Sequence, residues 1–270
     1  MKQLILRHLA GQVPSLLRVY RQLKLSRLTR RFFQTPDGFE LAGDPLDMAN
    51  GDWERAERKV FLEQLKRVSL VVDVGANIGY YSVLAARSGK EVIAIEPLRE
   101  NTDFLNVNLL HNGLRDVEVF PLALSDRSGV AELYGAATTA SLVRGWGKAV
   151  EYQREFISTT TFDRLLSHRL NAVPTFIKID VEGFEYEVLM GAEAILAQEP
   201  KPIWMVEIFR QHESIPGGLN KRFGDIFRLF WSHGYKSMAI GEEVTEVQEV
   251  ETWENRSEYN FLFAAEATNL

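Results

Sequence analysis

Apolar and polar positions along this chain fall into two periods that take turns. VSLVVDV (68–74) and EVIAIE (91–96) are short β-branched runs, apolar in their interiors apart from Ser69 and Asp73, the pattern of strands covered on both faces. Between them, residues 78–88 follow a helical spacing that stops at Gly89. A second helix over about 98–111 stops at Gly113, and a strand over 117–124 must end or bulge at Pro121. Runs at 129–135 and 155–161 read as strands flanking a loop rich in Gly, Ala and Thr. TFIKIDV (175–181) and PIWMVEIF (202–209) are further buried strands, joined by a helix that sets Phe184, Val188, Ala192 and Ile195 on one face. A helix near 220–233 and strands at 235–240 and 260–266 complete the series. Such alternation predicts an α/β fold, a doubly wound and mostly parallel sheet with helices on both faces. Ligands in these sheets bind beyond the carboxyl ends of the strands, so residues just after each strand carry the functional expectation.

Upstream the pattern is different. Val13, Leu16, Leu17, Tyr20 and Leu23 recur at helical spacing with Arg18, Arg21 and Lys24 between them. This stripe reads either as a helix capping the main domain or as an interfacial arm for anionic lipid or a partner. Turn residues Gly38, Gly43, Pro45, Asn50 and Gly51 precede another helical stretch at Trp53, which puts the domain boundary near residue 50: an extension over 1–50 and the α/β domain over 51–270.

Composition narrows the classes. Hydrophobic residues make up 46% and charged residues 25%, which excludes collagen-like and disordered chains. Cys is 0, so thiolate zinc sites, disulfides and cysteine nucleophiles are excluded. No apolar run reaches the roughly 18–20 residues that span a bilayer. Arg7 and His8 cut short the first apolar run, so a cytoplasmic enzyme without a cleavable leader is expected, with membrane or partner contact through residues 1–35. The net charge of −6 is uneven, because eight basic residues and no acid fall in residues 1–35. The acidic remainder argues against a nucleic-acid partner. The Glu-rich stretch from Glu242 to Glu258 reads as a solvated strand-and-loop region.

The first strand runs into Asp73-Val74-Gly75-Ala76-Asn77-Ile78-Gly79. Gly75 and Gly79 permit a tight turn and close backbone approach to a ligand, and the helix that follows offers free N–H groups. The spacing departs from both the dinucleotide fingerprint and the P-loop. Asp73 sets a negative charge where an amino group or cation can sit. Glu96 ends the second strand, suited to accept two hydrogen bonds from a ribose diol, or else to cap the next helix.

These blocks together resemble the FkbM-type methyltransferases, within the class I S-adenosylmethionine-dependent methyltransferases. The marks are DVGANIG (73–79), IEP (95–97), Asn108 with Asn112, ALSD (123–126), TTFDRLL (160–166), IKIDVEGFEYEVLMGA (177–192) and MVEI (205–208). The resemblance implies a Rossmann-like seven-stranded sheet, S-adenosyl-L-methionine as cofactor, and an acceptor that is a small molecule, sugar or glycan precursor. It places Asp73, Gly75, Asn77 and Gly79 around the methionine moiety, Glu96 at the ribose, and Ser125 and Asp126 at the adenine.

On the catalytic side Asp180 ends its strand where a methyl group would be presented, as a cofactor contact and as first choice to take an acceptor proton. Glu207, ending the next strand, is second, and His212, in the loop beyond, is a third candidate because His titrates near neutrality. His8, His111, His168 and His233 read as surface or capping residues. Asp180 and Glu207 lack a third ligand at diagnostic spacing, so no metal is assigned. Lys178 shares its strand face with Asp180 and needs a carboxylate partner. Glu182 reads either as a helix-dipole acid or as a site contact, and loop 136–154, with Trp146 and Tyr152, as a lid or a plain surface loop. Two other functions compete: a nicotinamide-dependent oxidoreductase, disfavoured by the glycine spacing, and a methyltransferase-like scaffold that binds a membrane or partner.

Overall fold

The computed structural model describes residues 31–43, 48–136, 139–146, 154–212, 215, 217–250 and 258–265. The amphipathic stripe at 13–24, Tyr152, and Glu251 and Glu254 of the acidic stretch lie outside them. In chain order the elements are β1 (Phe32–Gln34), β2 (Glu40–Ala42), α1 (Arg55–Leu65), β3 (Leu70–Val74), α2 (Tyr80–Arg87), β4 (Glu91–Ile95) and α3 (Arg99–His111). There follow β5 (Glu118–Phe120), β6 (Ala123–Leu124), β7 (Gly129–Tyr134), β8 (Arg154–Thr160), α4 (Phe162–Leu170), β9 (Thr175–Ile179) and α5 (Glu185–Met190). The chain continues through α6 (Glu193–Ala197), β10 (Ile203–Glu207), α7 (Phe223–Ser232), β11 (Lys236–Ile240), β12 (Val244–Glu246) and β13 (Asn260–Ala264).

The main sheet has eight strands in the order β12-β11-β13-β10-β9-β3-β4-β5. Strands β10, β9, β3, β4 and β5 run parallel, and β13 lies antiparallel between β10 and β11. This corrects the expected seven-stranded, mostly parallel sheet to a mixed sheet of eight. Two physical reasons account for the difference. A parallel return from β11 would need a crossover element, and among the described residues the connection from β11 holds only the short strand β12; β13 comes back antiparallel. β12 itself is a three-residue polar edge strand, VTE, with no apolar period to betray it.

Alternate residues of the buried strands feed two cores. Val72, Val74, Ile93, Ile177 and Ile179 face α4, α5, α6 and α7, while Val71, Val92, Ala94 and Phe176 face α1, α2 and α3. The segment expected as one strand over 117–124 splits at Pro121: β5 stays in the main sheet and β6 joins a separate three-stranded sheet with β8 and β7. The helix expected after Asp180 also divides, at Gly191, into α5 and α6, while Val188, Ala192 and Ile195 remain fully buried on one side. The hairpin β1–β2 packs into the second core through Phe39, Leu41 and Ala42. Asn108 fastens it, accepting from Ala42 N at 2.6 Å and donating to Ala42 O at 3.1 Å, and Asn112 donates to Glu40 O. Among the described residues no helix is long and apolar enough to cross a membrane.

Candidate active site

The chain leaves β3 toward β4 and β5 on one side and later returns to β9 on the other, so the sheet switches direction between β3 and β9. A cleft of about 280 Å³ opens there, beyond the carboxyl ends of the strands. Its geometry depends on Gly75, whose φ is +82° and at which a Cβ would lie 1.8 Å from the Asp180 carbonyl oxygen. Only glycine lets the loops after β3 and β9 meet. The N–H groups of Gly75 and Ala76 both donate to Ile95 O, joining the first loop to β4. Asn77 follows in the left-handed region at φ 52°, a conformation Asn tolerates.

Glu96 fastens this end together. Its Oε2 accepts from Asn77 N at 2.8 Å, and its Oε1 accepts from Leu98 N at 2.8 Å and Asn101 Nδ2 at 3.3 Å. The capping reading is thus met in part, since Leu98 precedes the first turn of α3, yet the same carboxyl group also lines the cleft. Burial pushes it up to about 7, against the hydrogen bonds it receives from Leu98 and Asn77. Asp73, also buried and raised by burial, accepts from Ser82 Oγ at 2.6 Å. Gly79 sits at the start of α2 against Leu105. Ser125 and Asp126 are not brought to the cleft: they bond each other at 3.0 Å, and the wall beside them is Leu122, Ala123 and Leu124.

At the other end, Glu54, Asp73, Asp180, Glu182 and Glu207 face a single cation, Lys178. Lys178 Nζ donates to Asp180 Oδ2 at 2.8 Å and stands 4.8 Å from the centre of the Tyr81 ring. Burial opposes its charge, but Asp180, Glu54 and Asp73 hold it above the usual lysine range. The partner that a buried lysine requires is therefore Asp180. Of the other carboxylates here, Glu54, Asp73 and Glu182 each have their own donor. Glu54 accepts from Tyr81 Oη at 2.5 Å, and burial raises it to about 7. Glu182 accepts from Trp146 Nε1 at 2.6 Å, and burial, then Asp180, raise it. Glu207 makes no hydrogen bond among the described residues, and burial followed by Asp180 pushes it well above the carboxylate range. His212 does not reach the cleft; it is exposed, with its ring 4.7 Å from Phe209. Among the described residues no group of three His, Cys, Asp or Glu could hold a metal ion.

Glu182 lies in the turn before α5 at φ 56°, not inside the helix, and it lines the cleft. Trp146, nearly fully buried, covers Gly183, where an added Cβ would come within 2.2 Å of its ring. Residues 139–146 of the expected lid therefore lie against the site, with Ser141 Oγ donating to Glu182 O at 2.6 Å. Sequence reasoning missed Glu54, Tyr81, Trp53 and Ser141. Their only sequence signals were the helical stretch opening at Trp53 and the first turn of α2.

A glycine-dependent turn at a switch point, a strand-end acid and a cluster of carboxylates mark this cleft as a ligand site. The chain belongs to the FkbM methyltransferase family: the methyltransferase FkbM domain matches residues 73–237, more than half of the chain. No curated protein matches it. Among solved structures, the precorrin-6y C5,15-methyltransferase of Geobacter metallireducens GS-15 is similar at 12% identity and a TM-score of 0.40, covering 76% of this chain and 84% of that one. An S-adenosylmethionine-dependent methyltransferase of Agrobacterium tumefaciens is similar at 9% identity and a TM-score of 0.46, covering 87% and 70%. An rRNA methylase of Streptococcus thermophilus is similar at 10% identity and a TM-score of 0.41, covering 77% and 94%.

The chain is an S-adenosyl-L-methionine-dependent methyltransferase. The residues fit that cofactor. Asn77 Oδ1 is buried without a hydrogen-bond partner among the described residues, and it lines the cleft beside Gly75. Both oxygens of Glu96 are two-lone-pair acceptors at the next strand end.

Proposed function

We propose that the enzyme methylates a hydroxyl oxygen of a small molecule, sugar or glycan precursor rather than of a nucleic acid. We further assign Asp73, Gly75, Asn77, Gly79 and Glu96 to cofactor binding, Asp180 to orientation at the methyl group, and Glu207 to the acceptor proton. When bound, S-adenosyl-L-methionine supplies an electrophilic methyl group and loses its positive charge on transfer. The chain's own task is to hold the acceptor in line and remove its proton.

The observation that carries this reading is Glu207. Of the carboxylates lining the cleft it alone lacks a donor among the described residues, and its surroundings make it more basic. Asp180 is held by Lys178 and is better suited to fix orientation, which reverses the order expected from the sequence. Glu207 is part-buried on the cleft wall with no hydrogen-bond donor of its own among the described residues, so its ionised carboxylate is open to take a hydroxyl proton within hydrogen-bond reach. The acidic lining supports the exclusion of nucleic acid, since a phosphate backbone would meet one paired lysine and no arginine. The extension over 1–50 and the transferase domain over 51–270 are likewise a proposed division, in which hairpin β1–β2 serves the domain it packs on.

The test is transfer of a deuterated methyl group from labelled cofactor into saccharide and small-molecule pools, read by mass spectrometry. Label in an ether linkage, reduced about 10²–10⁴-fold by Glu207→Gln with cofactor affinity kept, is the expected result. Label on nitrogen, or full turnover by that variant, would refute it.

A further inference from the structure

Building on the O-methylation reading, we propose that Trp53 and Glu54 form the acceptor wall of the cleft and select an uncharged, hydroxyl-bearing ring over a phosphorylated one. Both residues line the cleft, and both lie outside the segment that matches the methyltransferase domain. The turn that presents them is fixed from several sides. Arg58 donates through Nη1 to Gly51 O at 3.1 Å and Trp53 O at 2.9 Å, and its Nε pairs with Asp37 at 3.0 Å. Tyr80 Oη also donates to Asp37, and the Trp53 ring stands 4.5 Å from the Tyr80 ring, edge to face. Glu54 is held in the left-handed region at φ 42° with its carboxyl group on Tyr81 Oη. An aromatic ring beside a fixed carboxyl group offers an apolar face for ring C–H groups and hydrogen-bond partners for hydroxyls.

Charge decides between the ligand classes. Lys178 is the only basic side chain on the cleft, its ammonium is already bonded to Asp180, and no Arg or His lines the cavity among the described residues. A phosphate would face Glu54, Asp180 and Glu207 with no free cation, which disfavours it by like-charge repulsion.

The test is saturation-transfer NMR on the full chain loaded with S-adenosylhomocysteine, using uncharged methyl pyranosides and their 6-phosphates. A pyranoside signal at least about fivefold above the phosphate is expected, falling at least about fivefold in Trp53→Leu and about threefold in Glu54→Gln. Glu54→Gln keeps an acceptor for Tyr81, so it tests the wall even if the tryptophan variant does not fold. S-adenosylhomocysteine affinity, measured alongside, should stay within about twofold in both variants. An equal signal from the phosphate, no signal from any pyranoside, or signals untouched by both substitutions would overturn the proposal. The O-methylation reading fails separately, through label on nitrogen in the mass-spectrometric experiment.

Discussion

Between Asp73 and Leu98 the cleft is shaped by main chain and short side chains from one strand–helix–strand stretch, with Glu96 pinning Asn77 N to Leu98 N. The acceptor end is assembled differently, from long side chains at Glu54, Tyr81, Lys178, Glu182 and Glu207 that meet only in the folded chain. The first construction tolerates few changes of backbone and many of side chain. The second is an electrostatic balance, in which one lysine offsets several carboxylates and removing a single partner alters the rest. A cofactor of fixed shape suits the first kind of wall, and an acceptor that differs between enzymes suits the second.

The largest effect that would sharpen this contrast is Lys178→Met. It leaves Asp180, Asp73 and Glu54 without their cation, and breaking a buried pair in this way costs about 3–5 kcal/mol. Urea denaturation at neutral pH should show that loss, and a smaller one at pH 5, where Glu54, pushed up to about 7 by burial, has taken up its proton. Next comes Gly75→Ala, which forces a Cβ into the Asp180 carbonyl at φ +82° and should cost about 2–4 kcal/mol together with cofactor binding. A variant as stable as the parent would remove the main-chain account of that end.

The pH dependence of stability is a milder test. Glu54, Glu96 and Glu185 are each pushed up to about 7 by burial from an ordinary value near 4.5. The folded chain therefore keeps these protons where the unfolded chain has lost them. Their contribution is complete below about pH 4.5 and is lost as pH rises through about 7. Denaturation midpoints for the cofactor-free protein should fall across that window, and Glu54→Gln should flatten the slope; a rise would contradict the burial argument. Trp146→Phe is the smallest change, removing the donor to Glu182 for about 1 kcal/mol in the same assay.

Much of the cofactor end was legible in the sequence, because a buried strand announces itself by an uninterrupted apolar run and its last residue then marks the crevice. Asp73, Glu96, Asp180 and Glu207 all fall at such ends and all line the cleft. Ser125 and Asp126 follow β6, which after Pro121 belongs to the small sheet, and they do not line the cleft. His212 stands on the expected side, but Phe209 takes its ring. Glu54 and Trp53 could not be read, since their place depends on Arg58, Asp37 and Tyr80 closing a turn across distant segments. Strand direction was equally hidden, because β13 has the same apolar run whether it lies parallel or antiparallel.

Titration calorimetry of S-adenosyl-L-methionine against Glu96→Ala and Glu207→Gln tests the division of the cleft most directly. The account predicts that Glu96→Ala weakens binding at least about tenfold, or about 1.4 kcal/mol, while Glu207→Gln changes it less than about twofold. Equal affinities for the two variants would contradict it.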